Sequence, residues 1–214
     1  MCSFLPCSGV DTHENHVTTA NSTNSERSSK MVEATDIDWE TINEKLPFER
    51  TDEAKEKRRT LFKEFDPNDN GYLSLAEVDR GVRDVLGIEE VFNCKPAVNR
   101  AFHFAKKASQ GDDKYGPDYL EFREFRLFLQ TLRQNFEYFQ AFARIDTGDD
   151  NRVSKEEFCD DKIKDTIKKW VGDVDDMEAE FDAIDKNGGG QILFSEFVDW
   201  ALEKNLDLED DIDP

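Results

Sequence analysis

The sequence predicts an all-α protein of two lobes, each built from two helix–loop–helix units. Three observations carry this. One unit recurs: an amphipathic helix runs into an acidic loop, and the loop ends in Glu followed by an apolar residue. In the three clear copies an aromatic stands four residues before the loop (Phe62, Phe142, Phe181) and an apolar residue directly before it (Phe65, Ile145, Ile184). Each loop has an aliphatic eighth residue (Leu73, Val153, Ile192). Chance similarity of amphipathic helices would not align loops as well as flanks.

Taken in order, residues 1–35 are rich in Ser, Thr and Asn and poor in apolar periodicity, which predicts a disordered tail. DIDWETINEKLP then offers Trp39, Ile42 and Leu46 at helical spacing before Pro47. The first unit is LFKEFDPNDNGYLSLAEV (61–78). The second ends in DYLEFREF (118–125), with Leu120 in the eighth slot and Glu124 in the twelfth. Counting back puts Asp113 first, Tyr115 third, Pro117 fifth and Asp118 in place of the turn glycine, so this unit reads as structural scaffolding. AFARIDTGDDNRVSKEEF (141–158) and EFDAIDKNGGGQILFSEF (180–197) are the third and fourth. The expected lobes are residues 36–132 and 133–206, and DLEDDIDP (207–214) forms an acidic end. Short β-pairings should join loops one and two, and loops three and four, through their eighth residues. No Pro or Gly lies between Glu124 and Asp146, so the helix leaving unit two should run on into unit three. Phe122, Phe125, Phe128 and Leu129 share a face of it that reads as core, and Trp170 and Trp200 should pack in the C-terminal core.

Composition narrows the chemistry. Lys and Arg total 28 and Asp and Glu total 49, a net charge of −21, which disfavours nucleic acid and favours cations and basic peptides. Seventeen Phe argue for a packed fold. No apolar run approaches the ~20 residues needed to span a bilayer, and no signal peptide is evident. The four cysteines show no framework or metal-ligand spacing, so free thiols in the cytoplasm are expected. His13 and His16 fall one residue short of HExxH, and the NST at 21–23 matters only in a secreted chain. No nucleophile–base pair, phosphate loop or cofactor fingerprint emerges, so no enzyme activity is expected.

The loops carry metal chemistry. Calcium takes six to eight oxygens in a loop of twelve residues, with a carbonyl from position 7, a bidentate Glu at 12 and a turn glycine at 6. Loop one meets each demand: Asp66, Asn68 and Asn70, the Tyr72 carbonyl, Ser74 and Glu77, with Gly71 at the turn. Ser74 and Glu77 also spell a capping box for the next helix. Loop four keeps Asp185, Asn187, the Gln191 carbonyl and Glu196, with Gly190 at the turn. Gly189 and Leu193 leave positions 5 and 9 to water. Loop three has Asp146, Asp150, the Arg152 carbonyl, Ser154 and Glu157. Gly148 removes its third ligand, and Asn151 stands at the turn, where Asn tolerates a left-handed backbone. Ca2+ is therefore the expected cofactor, fully provided for only in loop one and not expected in loop two.

These loops and flanks are those of EF-hands. WETINEKLP before the first hand, EAKEKRRTLFKEFD leading into it, LEFREFRLFL closing a degenerate second and FSEFVDWA closing the last resemble the calflagin family, the flagellar calcium-binding proteins, over roughly residues 37–203. The resemblance implies four EF-hands, not all functional, and a flagellar membrane association through N-terminal acylation in response to calcium. This sequence departs from that pattern at position 2, where myristoylation needs Gly and Cys2 stands. Cys2 and Cys7 are open to palmitoylation, but no basic cluster adjoins them, so two free thiols are expected and a family-like acyl switch is not. The leading expectation is a monomeric calcium sensor that shows apolar surface to a protein or basic amphipathic peptide. A calcium buffer and a calcium-independent scaffold stay open beside it. Broadly specific sensors use Met-rich grooves, and here only Met31 and Met177 lie beyond the first residue.

Overall fold

A computed structural model describes residues 37–108, 115–116 and 118–206. The expectations for residues 1–35, for the 207–214 end and for Asp113 and Pro117 lie outside the described residues. Helix α1 (Trp39–Lys45) starts on Asp38, whose carboxylate accepts the Thr41 N–H, and buries Trp39 and Ile42. Thr51 caps α2 (Asp52–Phe65) in the same way, and α2 buries Phe62 and Phe65 at i, i+3. Strand β1 (Tyr72–Ser74) leads into α3 (Leu75–Gly81), which opens on the capping box of Ser74 and Glu77. A π-helical turn, Val82–Leu86, extends α3 and stops at Gly87, whose φ of 58° suits a residue without Cβ. Gly81 is buried where the two join: a Cβ there would run into the Phe65 ring, so this close approach of α3 to α2 depends on glycine.

Next come α4 (Glu89–Asn93) and α5 (Lys95–Ala108), then β2 (Tyr119–Glu121) and α6 (Phe122–Ile145). At 24 residues α6 is the longest helix described, unbroken from the second hand into the third as the missing Pro and Gly foretold. The C-terminal half adds β3 (Arg152–Ser154), α7 (Lys155–Phe158), α8 (Asp161–Val171), α9 (Met177–Ile184), β4 (Gln191–Leu193) and α10 (Phe194–Lys204).

Two antiparallel pairs join the loops. β1 faces β2 with Leu73 opposite Leu120, and β3 faces β4 with Val153 opposite Ile192. These four side chains are fully buried, so each pair is pinned from below by aliphatic contact. One continuous core runs beneath them. Phe62 and Phe65 meet Phe125 edge-on at 5.2 and 5.4 Å, and Phe142 meets Phe194 and Phe197 likewise at 5.7 and 5.4 Å. Trp170 and Trp200 are buried in the C-terminal half as expected. Trp39 of α1 packs on Phe136 of α6, so the long helix serves residues from the chain's beginning as well as its end.

Candidate metal centres

Each loop begins where a helix stops. Asp66, Asp146 and Asp185 are the C-caps of α2, α6 and α9, their N–H groups bonded to Phe62, Phe142 and Phe181. Their carboxylates turn inward and gather the backbone. Asp66 accepts from the N–H of Asn70 at 3.1 Å and of Gly71 at 2.8 Å. Asp146 accepts from Asp150 and Asn151 at 3.3 and 2.8 Å, and Asp185 from Gly189 and Gly190 at 3.0 and 2.7 Å. The first residue thus holds the fifth and sixth around itself, whatever their side chains.

That curl needs two left-handed residues per loop. The sixth position supplies one, in Gly71 (φ 82°), Asn151 (φ 62°) and Gly190 (φ 74°), so Asn151 does take the conformation expected of it. The fourth supplies the other, in Asp69 (φ 54°), Asp149 (φ 53°) and Gly188 (φ 68°). Reading side-chain ligands alone overlooks the fourth position. Its signal was present, because Asp and Gly are among the residues that enter this region most readily.

The closing glutamates come back over the loop. Glu77 and Glu157 accept the Ser74 and Ser154 N–H groups at 2.9 Å and take the serine hydroxyls at 2.8 and 2.9 Å. Glu196 accepts the Leu193 N–H at 2.9 Å, and Leu193 adds no side-chain cap. The other glutamate oxygen faces the third position. Glu77 takes Asn68 Nδ2 at 2.6 Å, Glu196 takes Asn187 Nδ2 at 2.7 Å, and Glu157 takes the Gly148 N–H at 2.6 Å with the Thr147 hydroxyl at 2.9 Å.

The donor set fits a hard cation in loops one and four. Turning the Asn68 or Asn187 amide about its last torsion replaces the donor facing Glu77 or Glu196 by an oxygen, the change a cation between them would demand. Loop three has no side chain to turn, since Gly148 offers only its N–H. Its carboxylates crowd one another instead: burial pushes the Asp146 carboxyl up, and the Asp150 and Glu157 charges add to that. Glu157 is held low; burial opposes this, but the Ser154 N–H and hydroxyl, with Thr147 and Gly148, outweigh it. Asp150 turns to the Arg152 N–H at 3.0 Å. Among the described residues no three His, Cys, Asp or Glu side chains converge on one point. The loops would reach a full ligand count only with amide and carbonyl oxygens.

Beside loops three and four lies a groove of about 660 Å³, walled by α5 and the start of α10. Asn151 and Leu193, at position 6 of loop three and position 9 of loop four, reach its rim. Phe104 and Leu193 are exposed there. Arg100 crosses the groove to Asp199 at 2.5 Å, with His103 and Lys107 on the same wall.

Paired helix–loop–helix units bridged by short two-stranded β-contacts, with inward-turned Asp and Glu at loop positions 1 and 12, define an EF-hand protein. The family model described as FCaBP EF-hand domain matches residues 42–132. A flagellar calcium-binding protein of Trypanosoma cruzi is 37% identical over 82% of this chain and 83% of its own length. The flagellar calcium-binding protein TB-17 of Trypanosoma brucei brucei is 35% identical over 83% of this chain and 76% of its own length. The chain belongs to the flagellar calcium-binding protein family, as its calflagin-like flanks implied. A calcium-dependent mitochondrial ATP-magnesium/phosphate carrier protein 2 of Arabidopsis thaliana is 26% identical over 73% of this chain and 29% of its own length.

Proposed function

We propose that this chain is a calcium sensor, loading loops one and four and, through its remaining ligands, loop three. The observation that carries the reading is the common frame: an inward Asp at position 1, a Glu at position 12 and an Asn at position 3 that can turn an oxygen between them. Asp66, Asn68, Asn70, the Tyr72 carbonyl, Ser74 and Glu77 would hold one ion. Asp185, Asn187, the Gln191 carbonyl and Glu196 would hold another, with water at the fifth and ninth places. Asp146, Asp150, the Arg152 carbonyl, Ser154 and Glu157 make a poorer third site.

Sensing needs a surface that ion binding can change. The groove beside loops three and four supports this, because Asn151 and Leu193 belong to the loops and to its rim. Calcium drawing Glu157 and Glu196 inward would move α7 and α10, and with them that wall, opening apolar surface to a protein partner. The net charge of −21 favours a basic amphipathic peptide in that role. A flagellar location comes with the relatives' names and belongs to the same proposal.

Calorimetric titration of the full chain with calcium, magnesium present, tests the reading. Two or three ions should bind, and Glu196→Gln should remove one. Calcium should also raise the fluorescence of an apolar dye. Uptake without dye binding makes the chain a buffer, and no uptake at millimolar calcium leaves a scaffold.

A further inference from the structure

The second hand lacks the ligand pattern of a twelve-residue metal loop in its sequence, yet its closing glutamate is held like the others. Glu124 accepts the Glu121 N–H at 2.8 Å, as Glu77, Glu157 and Glu196 accept theirs. In those three, the other oxygen meets neutral donors from the start of the loop. Glu124, with the Arg123 Nε 3.8 Å from one oxygen, instead meets an ammonium: Lys106 Nζ lies 3.2 Å from each of its oxygens. Both side chains are nearly sealed from water, at 5% and 2% exposure.

The position of Lys106 gives the pair its meaning. Phe102 and Ala105 are buried four and one residues before it. Phe62 and Phe65 stand so before Asp66, Phe142 and Ile145 before Asp146, and Phe181 and Ile184 before Asp185. In this register Lys106, not Asp113, takes the place that Asp66, Asp146 and Asp185 hold in the other hands, although α5 runs on to Ala108. Glu124 follows 18 positions later, against 11 in the other three hands, and register returns at β2. Where the others place an acid that would bind a cation, this hand places a cation.

We propose that the Lys106 ammonium is the resident cation of the second hand, holding Glu124 and β2 in place whether or not calcium is present. An ammonium brings a fixed positive charge and three donors, which suit a carboxylate already satisfied on its other side. β2 is then presented to β1 permanently, with Leu120 seated opposite Leu73, and loop one is shaped before any ion reaches it. The inference goes beyond the sensor reading and holds for a buffer or a scaffold equally.

Two variants of the full chain test it. Lys106→Asp puts at this place the residue type of the other three hands. In chelator its melting temperature should fall by roughly 5–15 °C, the order expected when a buried charge loses its partner. No fall in chelator overturns the proposal. Lys106→Met keeps the stem without the charge and covers the case in which the aspartate variant does not fold. In chelator its Leu73 and Leu120 amides should exchange with solvent at least tenfold faster than the parent's. Equal protection overturns the proposal too, and neither chelator measurement depends on loops one, three and four binding calcium.

Discussion

Gly148 and Gly189 both stand where a calcium loop normally offers an oxygen, but they differ in what a side chain would meet. A Cβ on Gly148 would lie 3.1 Å from Glu157 Oε1, pressing on the closing carboxylate. A Cβ on Gly189 would lie 2.5 Å from Asn187 Oδ1, the end of a side chain that ion binding must turn in any case. Neither glycine has a positive φ, so an L-residue is not strained there. Gly189→Asp should therefore tighten calcium at loop four about tenfold, or ~1.4 kcal/mol, by titration. A change under twofold would mean that position 5 does not face the ion. Legibility also divides at this scale. The candidate ligand positions could be read because oxygen chemistry restricts residue types, and the eighth residues because they must be aliphatic to pack. The fourth-position φ values and the inward turn of Asp66, Asp146 and Asp185 are backbone facts, visible in sequence only as a leaning towards Asp, Asn and Gly.

Among elements, α6 was legible and α5 was not. α6 carries an unbroken apolar face over many turns with no breaker, whereas α5 ends in a hand whose extra residues displace every ligand from its expected count. Only the buried pair Phe102 and Ala105 keeps register, and that pair is too short a pattern to find unaided. The contact between α9 and α10 is likewise hidden in sequence: Trp200 donates to Glu180 at 2.6 Å and Lys204 reaches the same oxygen at 2.8 Å. Burial acts to raise the Glu180 carboxyl, but Lys204 and Trp200 outweigh it and hold it below the usual range. A depressed carboxylate contributes stability above its unfolded value and loses it as pH falls through the folded one. Glu180→Gln should lower stability at neutral pH by about 1 kcal/mol for a partly exposed site, read as a fall in melting temperature. That difference should vanish once the pH is below the carboxylate range. A deficit that persists in acid would assign the effect to shape and not to charge.

At the scale of the molecule, the two halves were legible as repeats, and their joining was legible only through the missing breakers between Glu124 and Asp146. What sequence could not show is that α1 and α10 both pack on the shared helix, because contacts between distant segments leave no periodic trace. α6 thereby becomes a built-in ruler. From Arg123 to Arg144 it spans about 32 Å at 1.5 Å per residue. One end is tied to the ammonium-held hand and the other enters the third loop, so spacing along the rod should ignore calcium. A donor–acceptor dye pair at those two positions should report one distance with and without the ion. Moving one dye to α8 should turn the same experiment into a gauge of how far the C-terminal half swings. If the rod pair shortens when calcium is removed, the helix breaks at its middle, and the two halves signal independently.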